Sequence, residues 1–239
     1  MSADGLKFDR LLRTVPELDK ADKRAGATFV NILFGLVVTT AAIRISTELV
    51  NGWADGWDSV AETGLAHLLV AVTLTVLSWI GYHQSQQYPP FLIKFINIPL
   101  IQFALDVSMV IVYYTVVAVA EGSDPRLTPS ARPEAILVLV VFLLYAAWDV
   151  LGFRLFHDPE YASRLQTPRE PDDGLGPRRW VTLGFALITG IQALAIWLLD
   201  PSMPISVILA DAVIIAVLIS YRLVKQLSDP KVKTRVRVT

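Results

Sequence analysis

The chain has 239 residues, of which 54% are hydrophobic and only 18% charged, and its mean hydropathy is +0.51. Those proportions exclude an ordinary water-soluble domain, which is less apolar and carries more charge. Cysteine is absent, which excludes disulfides and thiolate metal ligands, and 21 basic residues nearly balance 22 acidic ones, so the placement of charge says more than its sum.

The first 26 residues are charged and mixed, with no apolar stretch leading to a small-residue cleavage site. No signal peptide is expected, and the first membrane helix would direct insertion. Within this segment, residues 5–24 set Leu6, Phe8, Leu11, Leu12 and Val15 among charges, a pattern that suits either a surface-lying amphipathic helix or a solvated tail. Six long apolar stretches follow, at 28–50, 64–83, 91–120, 134–156, 179–199 and 204–222. Each reaches the roughly 20 helical residues that cross a hydrocarbon core of about 30 Å. None shows the period-2 alternation of a membrane barrel, and in lipid the backbone must satisfy its own hydrogen bonds. The predicted fold is therefore all-α, a polytopic membrane protein with six transmembrane helices. Its breaks fall at Asn51-Gly52 and Gly56, at Pro89-Pro90, across Glu121 to Pro125, and at Asp200-Pro201 with Pro204. Residues 157–178 read as a solvated cytoplasmic linker and 223–239 as a basic cytoplasmic tail.

Basic residues give the expected orientation. Eighteen lie in the N-terminal segment, the second and fourth connections and the C-terminal end, whereas only Arg126 and Arg132 lie on the opposite side and Arg44 falls within a helix. The positive-inside rule then puts both termini in the cytoplasm, as in a multi-pass protein of the cell inner membrane.

Ionisable side chains at membrane depth cost roughly 2.5–3.5 kcal/mol each on insertion scales and are functional candidates for that reason. Asp106, in the third stretch between Gln102 and Ser108, is the clearest; Asp149, Asp211 and Arg44 are the others. The alternative for each is a hydrogen bond to a neighbouring helix, and Arg44 is placed either to snorkel outward or to pair with Asp211. The histidines His67, His83 and His157 look dispersed, with no HExxH or His-Asp cluster, no GxSxG elbow and no Gly-rich phosphate loop. The expectation is accordingly no enzyme, no cofactor, no metal centre and no nucleic-acid module.

The first stretch carries a patterned face. At helical spacing Ile32, Leu36, Thr39, Thr40, Ile43 and Thr47 align, alternating branched apolar groups with hydroxyls. Repeated around an axis, such a face could form a constriction and a ring of oxygens for a cation; ordinary helix packing also uses threonine.

The segment Phe29 to Thr39 resembles the first helix of the endosomal and lysosomal potassium channel family (the transmembrane protein 175 family), in particular its bacterial branch. Phe29 matches the first residue of the family's Phe-Ser-Asp signature, while Leu36 and Thr39 fall at its constriction and nearby threonine. Trp79 and His83 match its Trp-x-x-His-His, and Asn97 matches an asparagine early in the third helix. Val30 and Asn31 stand where the family has Ser-Asp, and Tyr82 stands for the first histidine. The resemblance implies a channel for monovalent cations, foremost potassium, with the first helix lining the pore and Asn31, Trp79, His83 and Asn97 forming an uncharged packing network. One chain carries one copy of the motif, so a four-fold pore implies a homotetramer in the lipid bilayer. Two other classes fit the same composition: a proton-coupled or small-solute transporter using Asp106 and Asp211, and a non-conducting scaffold or defence or stress effector acting through the basic tails.

Overall fold

A computed structural model describes residues 3–56, 59–85, 98–121, 130–157, 175–199 and 203–228. Six helices account for nearly all of them: α1 (Ala3–Asp55), α2 (Ser59–Ser85), α3 (Ile98–Glu121), α4 (Arg132–His157), α5 (Leu175–Leu199) and α6 (Pro204–Leu227). All six are long and apolar enough to cross a membrane. The all-helical class and the number of membrane-length helices follow the hydropathy of the sequence; the boundaries differ in detail. The helix of α1 begins at Ala3 and continues through Asn51-Gly52 to Asp55. Of the two breaks expected after the first stretch, the chain thus passes helically through Asn51-Gly52 and stops at Gly56, whose φ of +91° lies where a side chain would be strained. Pro204 sits at the start of α6, where its missing N–H breaks no helical bond. The Pro89-Pro90 break, the residues 91–97 assigned to the third stretch, most of the 157–178 linker and the tail beyond 228 lie outside the described residues.

The helices close into a ring. Each of α2, α3, α4, α5 and α6 packs on the next, and α6 returns to α2, while α1 lies outside in the groove between α2 and α3. Inward stripes at three- and four-residue spacing explain this arrangement. In α2 the buried set runs through His67, Ala71, Leu74 and Ser78; in α4, Glu134, Val138, Val141 and Phe142; in α6, Val207, Asp211, Ile214, Leu218 and Tyr221. In α1, Val30, Phe34, Val37 and Ala41 form the buried stripe. Aromatic contacts seat α1 in its groove: Phe29 lies 6.0 Å from Phe103, and Phe34 lies 5.9 Å from Tyr82 and 5.7 Å from Tyr113, between ring centres. These tilted ring pairs add to simple area burial.

A second aromatic group holds α4, α5 and α6 together. Phe142 meets Tyr221 edge-on at 4.9 Å and stacks with Phe185 at 6.4 Å. With Leu74, Val138, Val141, Ile214 and Leu218, it fills the middle of the ring with apolar side chains. Removing the Phe142 ring should therefore cost about 3–5 kcal/mol through lost contacts and an unfilled cavity. Phe142→Ala is expected to lower the thermal unfolding midpoint in detergent, followed by circular dichroism; an unchanged midpoint would show that this layer does not hold the ring.

Candidate functional site

Three buried ionisable side chains converge inside the ring from three helices: His67 of α2, Glu134 of α4 and Asp211 of α6. His67 Nδ1 lies 2.5 Å from Glu134 Oε2 and 2.9 Å from Asp211 Oδ2. The Glu134 and Asp211 side chains are 0% and 1% exposed. These are distances at which an imidazole and two carboxylates engage one another directly. No group outside the cluster bonds to Nδ1 or to any of the four carboxylate oxygens. Buried polar atoms in folded proteins are nearly always satisfied, so five such atoms with only one another for partners form an unusual centre.

Backbone position explains how they meet. His67 and Asp211 lie six and seven residues into their apolar segments, which begin at Ala61 and Pro204, or about 9–10 Å along the helix axis. Glu134 occupies the first turn of α4, where the positive end of the helix dipole favours an acid. The α2, α4 and α6 helices all start at the same end of the bundle, so the three groups share a level near that end.

A second polar layer lies toward the opposite end. Lys225 Nζ donates to Asp149 Oδ2 at 3.0 Å, to Thr182 Oγ1 at 3.1 Å and to Tyr221 Oη at 2.7 Å. Thr182 in turn donates to Asp149 Oδ2 at 2.5 Å. The hydroxyls of Ser78 and Tyr145 are bonded, and Tyr145 meets Tyr113 at 3.1 Å. Here Lys225 has its acid and each of these hydroxyls a partner, so the network is a completed internal ion pair.

The residues singled out by the sequence are thus dispersed over different environments. Asp211 belongs to the converging cluster and Asp149 to the lysine network, while Asp106 has Trp148 as its hydrogen-bonding neighbour. Asp106 and Asp211 therefore do not form one site. Arg44 is corrected from a buried ionisable residue to an exposed one: the buried stripe of α1 runs through Val37 and Ala41, which turns position 44 outward. Asp211 takes His67, not Arg44, as its ion-pair partner. The reading of dispersed histidines is also corrected, because the fold joins His67 to two carboxylates. Glu134 and Lys225 were not singled out at all, since both lie near helix ends where charge looks unremarkable.

The patterned face of α1 points away from the ring. Ile32, Leu36 and Ile43 are 64%, 56% and 61% exposed, with Thr39 and Thr47 exposed and Thr40 half-buried. Trp79 donates through Nε1 to Asn31 Oδ1 at 3.4 Å, and His83 packs edge-on against Trp79 at 4.6 Å. Asn97 lies outside the described residues.

The fold defines a polytopic membrane protein with a buried imidazole–dicarboxylate cluster. No family model, curated protein or solved structure matches the chain.

The completed lysine network gives a stability test. Removing one member of a buried ion pair leaves the other uncompensated, at about 3–5 kcal/mol. Asp149→Asn and Lys225→Met are each expected to lower the unfolding midpoint in detergent, and the double variant by less than the sum of the two. Strict additivity would show that the pair does not act as a unit.

Proposed function

We propose that this chain is a membrane transport protein that binds a cation at His67, Glu134 and Asp211 during passage across the bilayer. The carrying observation is the convergence of two buried carboxylates and one imidazole that have no partner outside the cluster. Even with His67 protonated, the cluster has two acids for one base, and uncompensated charge at membrane depth is costly. A further positive charge stabilises it, so the cluster is a natural cation-binding centre.

The layering of the ring supports the same reading. Each of α2, α4 and α6 has one residue in the cluster and a polar residue ten or eleven positions on, namely Ser78, Tyr145 and Tyr221. Between them stand Leu74, Phe142 and Ile214. An apolar layer between two polar ones allows a cation held at the cluster to be blocked from the opposite end until the helices shift. With the orientation expected from the basic residues, the cluster lies in the half of the bundle nearer the non-cytoplasmic side.

Flux into proteoliposomes, followed with fluorescent indicators for protons, monovalent and divalent cations, tests this function. Wild-type protein is expected to move at least one of these ions, and Glu134→Gln to reduce that flux by at least tenfold with the fold retained by circular dichroism. Absence of any cation flux from folded wild-type protein would overturn the proposal.

The outward face of α1 favours a second reading, in which several copies meet around this helix as a potassium-type channel. The observation behind it is that Ile32, Leu36 and Ile43 are left uncovered on a helix already lying outside the ring. Leu36 would then form the constriction and Thr39 the adjacent polar ring. In planar bilayers, Leu36→Asn is expected to change the unitary conductance several-fold. A protein that is monomeric by native mass in detergent, or a current indifferent to this substitution, would overturn it.

A further inference from the structure

The donor set at the cluster is more specific than a general attraction for positive charge. We infer that His67 Nδ1, one Glu134 oxygen and one Asp211 oxygen form a binding site for a single divalent transition-metal ion of the zinc or manganese type. The inference rests on the cation-binding reading and names the ion that the site takes.

The geometry comes first. One nitrogen and two carboxylate oxygens, each from a different helix, all lie within 4.8 Å of one another. A ligand–metal distance of about 2.0–2.2 Å puts neighbouring donors of a tetrahedral ion roughly 3.4 Å apart. The present spacings of 2.5 Å and 2.9 Å reach that value if each carboxylate draws back by less than about 1 Å. Such a shift lies within side-chain adjustment and needs no displacement of a helix.

The second observation is the absence of any partner outside the cluster. Nδ1 and all four carboxylate oxygens are buried, and no side chain or backbone group beyond these three residues bonds to any of them. The side chain of Glu134 is fully buried and directed at His67 and Asp211. The lysine network at the other end offers a direct contrast, because there the carboxylate of Asp149 accepts from both Lys225 and Thr182. A metal ion supplies at the cluster what Lys225 supplies in that network.

Charge and donor chemistry select the ion. A neutral imidazole and two carboxylates balance one divalent cation without residue, whereas a monovalent ion leaves a buried negative charge. Magnesium and calcium favour six or more oxygen ligands, and a site with three donors of which one is imidazole does not meet that requirement. Imidazole suits zinc, iron and nickel, and carboxylates also suit manganese. Three protein ligands also leave a coordination position open for water or for an incoming ligand, in contrast to a closed structural site.

Cobalt(II) is a suitable probe, because its visible absorption reports coordination by nitrogen and oxygen. Full-length protein in detergent, first stripped with chelator, is expected to bind one equivalent of Co2+ with a d–d band that Zn2+ abolishes. Glu134→Gln, Asp211→Asn and His67→Asn should each weaken binding by at least tenfold, while Glu62→Gln, one turn nearer the start of α2, should not. As a second measurement, Zn2+ should raise the unfolding midpoint of wild-type protein in a concentration-dependent way. Failure of folded wild-type protein to bind Co2+ or Zn2+ would overturn the inference, as would one-equivalent binding that survives all three substitutions. If flux of protons or monovalent cations is lost in Glu134→Gln while wild-type protein binds no metal, the metal assignment falls and the transport reading stands. If wild-type protein neither binds metal nor moves any cation, both fall.

Discussion

In hydrocarbon a polar side chain has no solvent to turn to, and this constraint organises the molecule. A hydroxyl can bond back to its own helix; a charge must find a partner on another. Helices α2, α4 and α6 therefore turn ionisable residues toward the inside of the ring at two levels, while Arg44 of the outlying α1 faces outward. At one level Asp149, Thr182, Tyr221 and Lys225 satisfy one another across α4, α5 and α6. At the other, His67, Glu134 and Asp211 join α2, α4 and α6 without completing a hydrogen-bond network. Gly81 shows how tightly α2 and α6 are joined, since a Cβ there would stand 3.1 Å from the guanidinium of Arg222. Between the levels stand branched and aromatic side chains, with the hydroxyls of Thr75 and Thr189 bonded back to their own helices.

The two levels differ in kind as well as place. In the lysine network, cation and anion are both supplied by the chain, so the arrangement is internally complete and reads as cohesion between helices. The histidine cluster supplies more acid than base. A cohesive role alone would be served better by an arrangement like that around Lys225, which argues that the cluster is shaped toward a species the chain does not itself provide.

Most of the fold was legible in the sequence because hydropathy is a local property. Each stretch of about 20 apolar residues announces a helix without reference to any other part of the chain. The cluster was not legible because convergence is not local. One whole helix lies between those that carry His67 and Glu134, and another between those that carry Glu134 and Asp211, so neither pair has a sequence spacing that suggests contact. Glu134 stands at the start of its helix, where an acid is ordinary, and its complete burial is a property of the ring alone. A weak signal was present nonetheless. In α2, α4 and α6 an ionisable residue is followed, ten or eleven positions on, by a hydroxyl on the same face, and that repetition marks three helices of common register. The face of α1 was legible as a period, but period alone does not say whether a stripe faces the bundle or leaves it.

The threonines of that outward face have a further property. Thr40 donates its hydroxyl proton to the Leu36 carbonyl and Thr47 to the Ile43 carbonyl, each at 3.0 Å. Their protons are thereby consumed within the helix, and only oxygen lone pairs remain available to whatever approaches. At these two positions the helix offers acceptors and no donors. Anions, which require donors, gain nothing from either hydroxyl, whereas a cation meets free lone pairs at both.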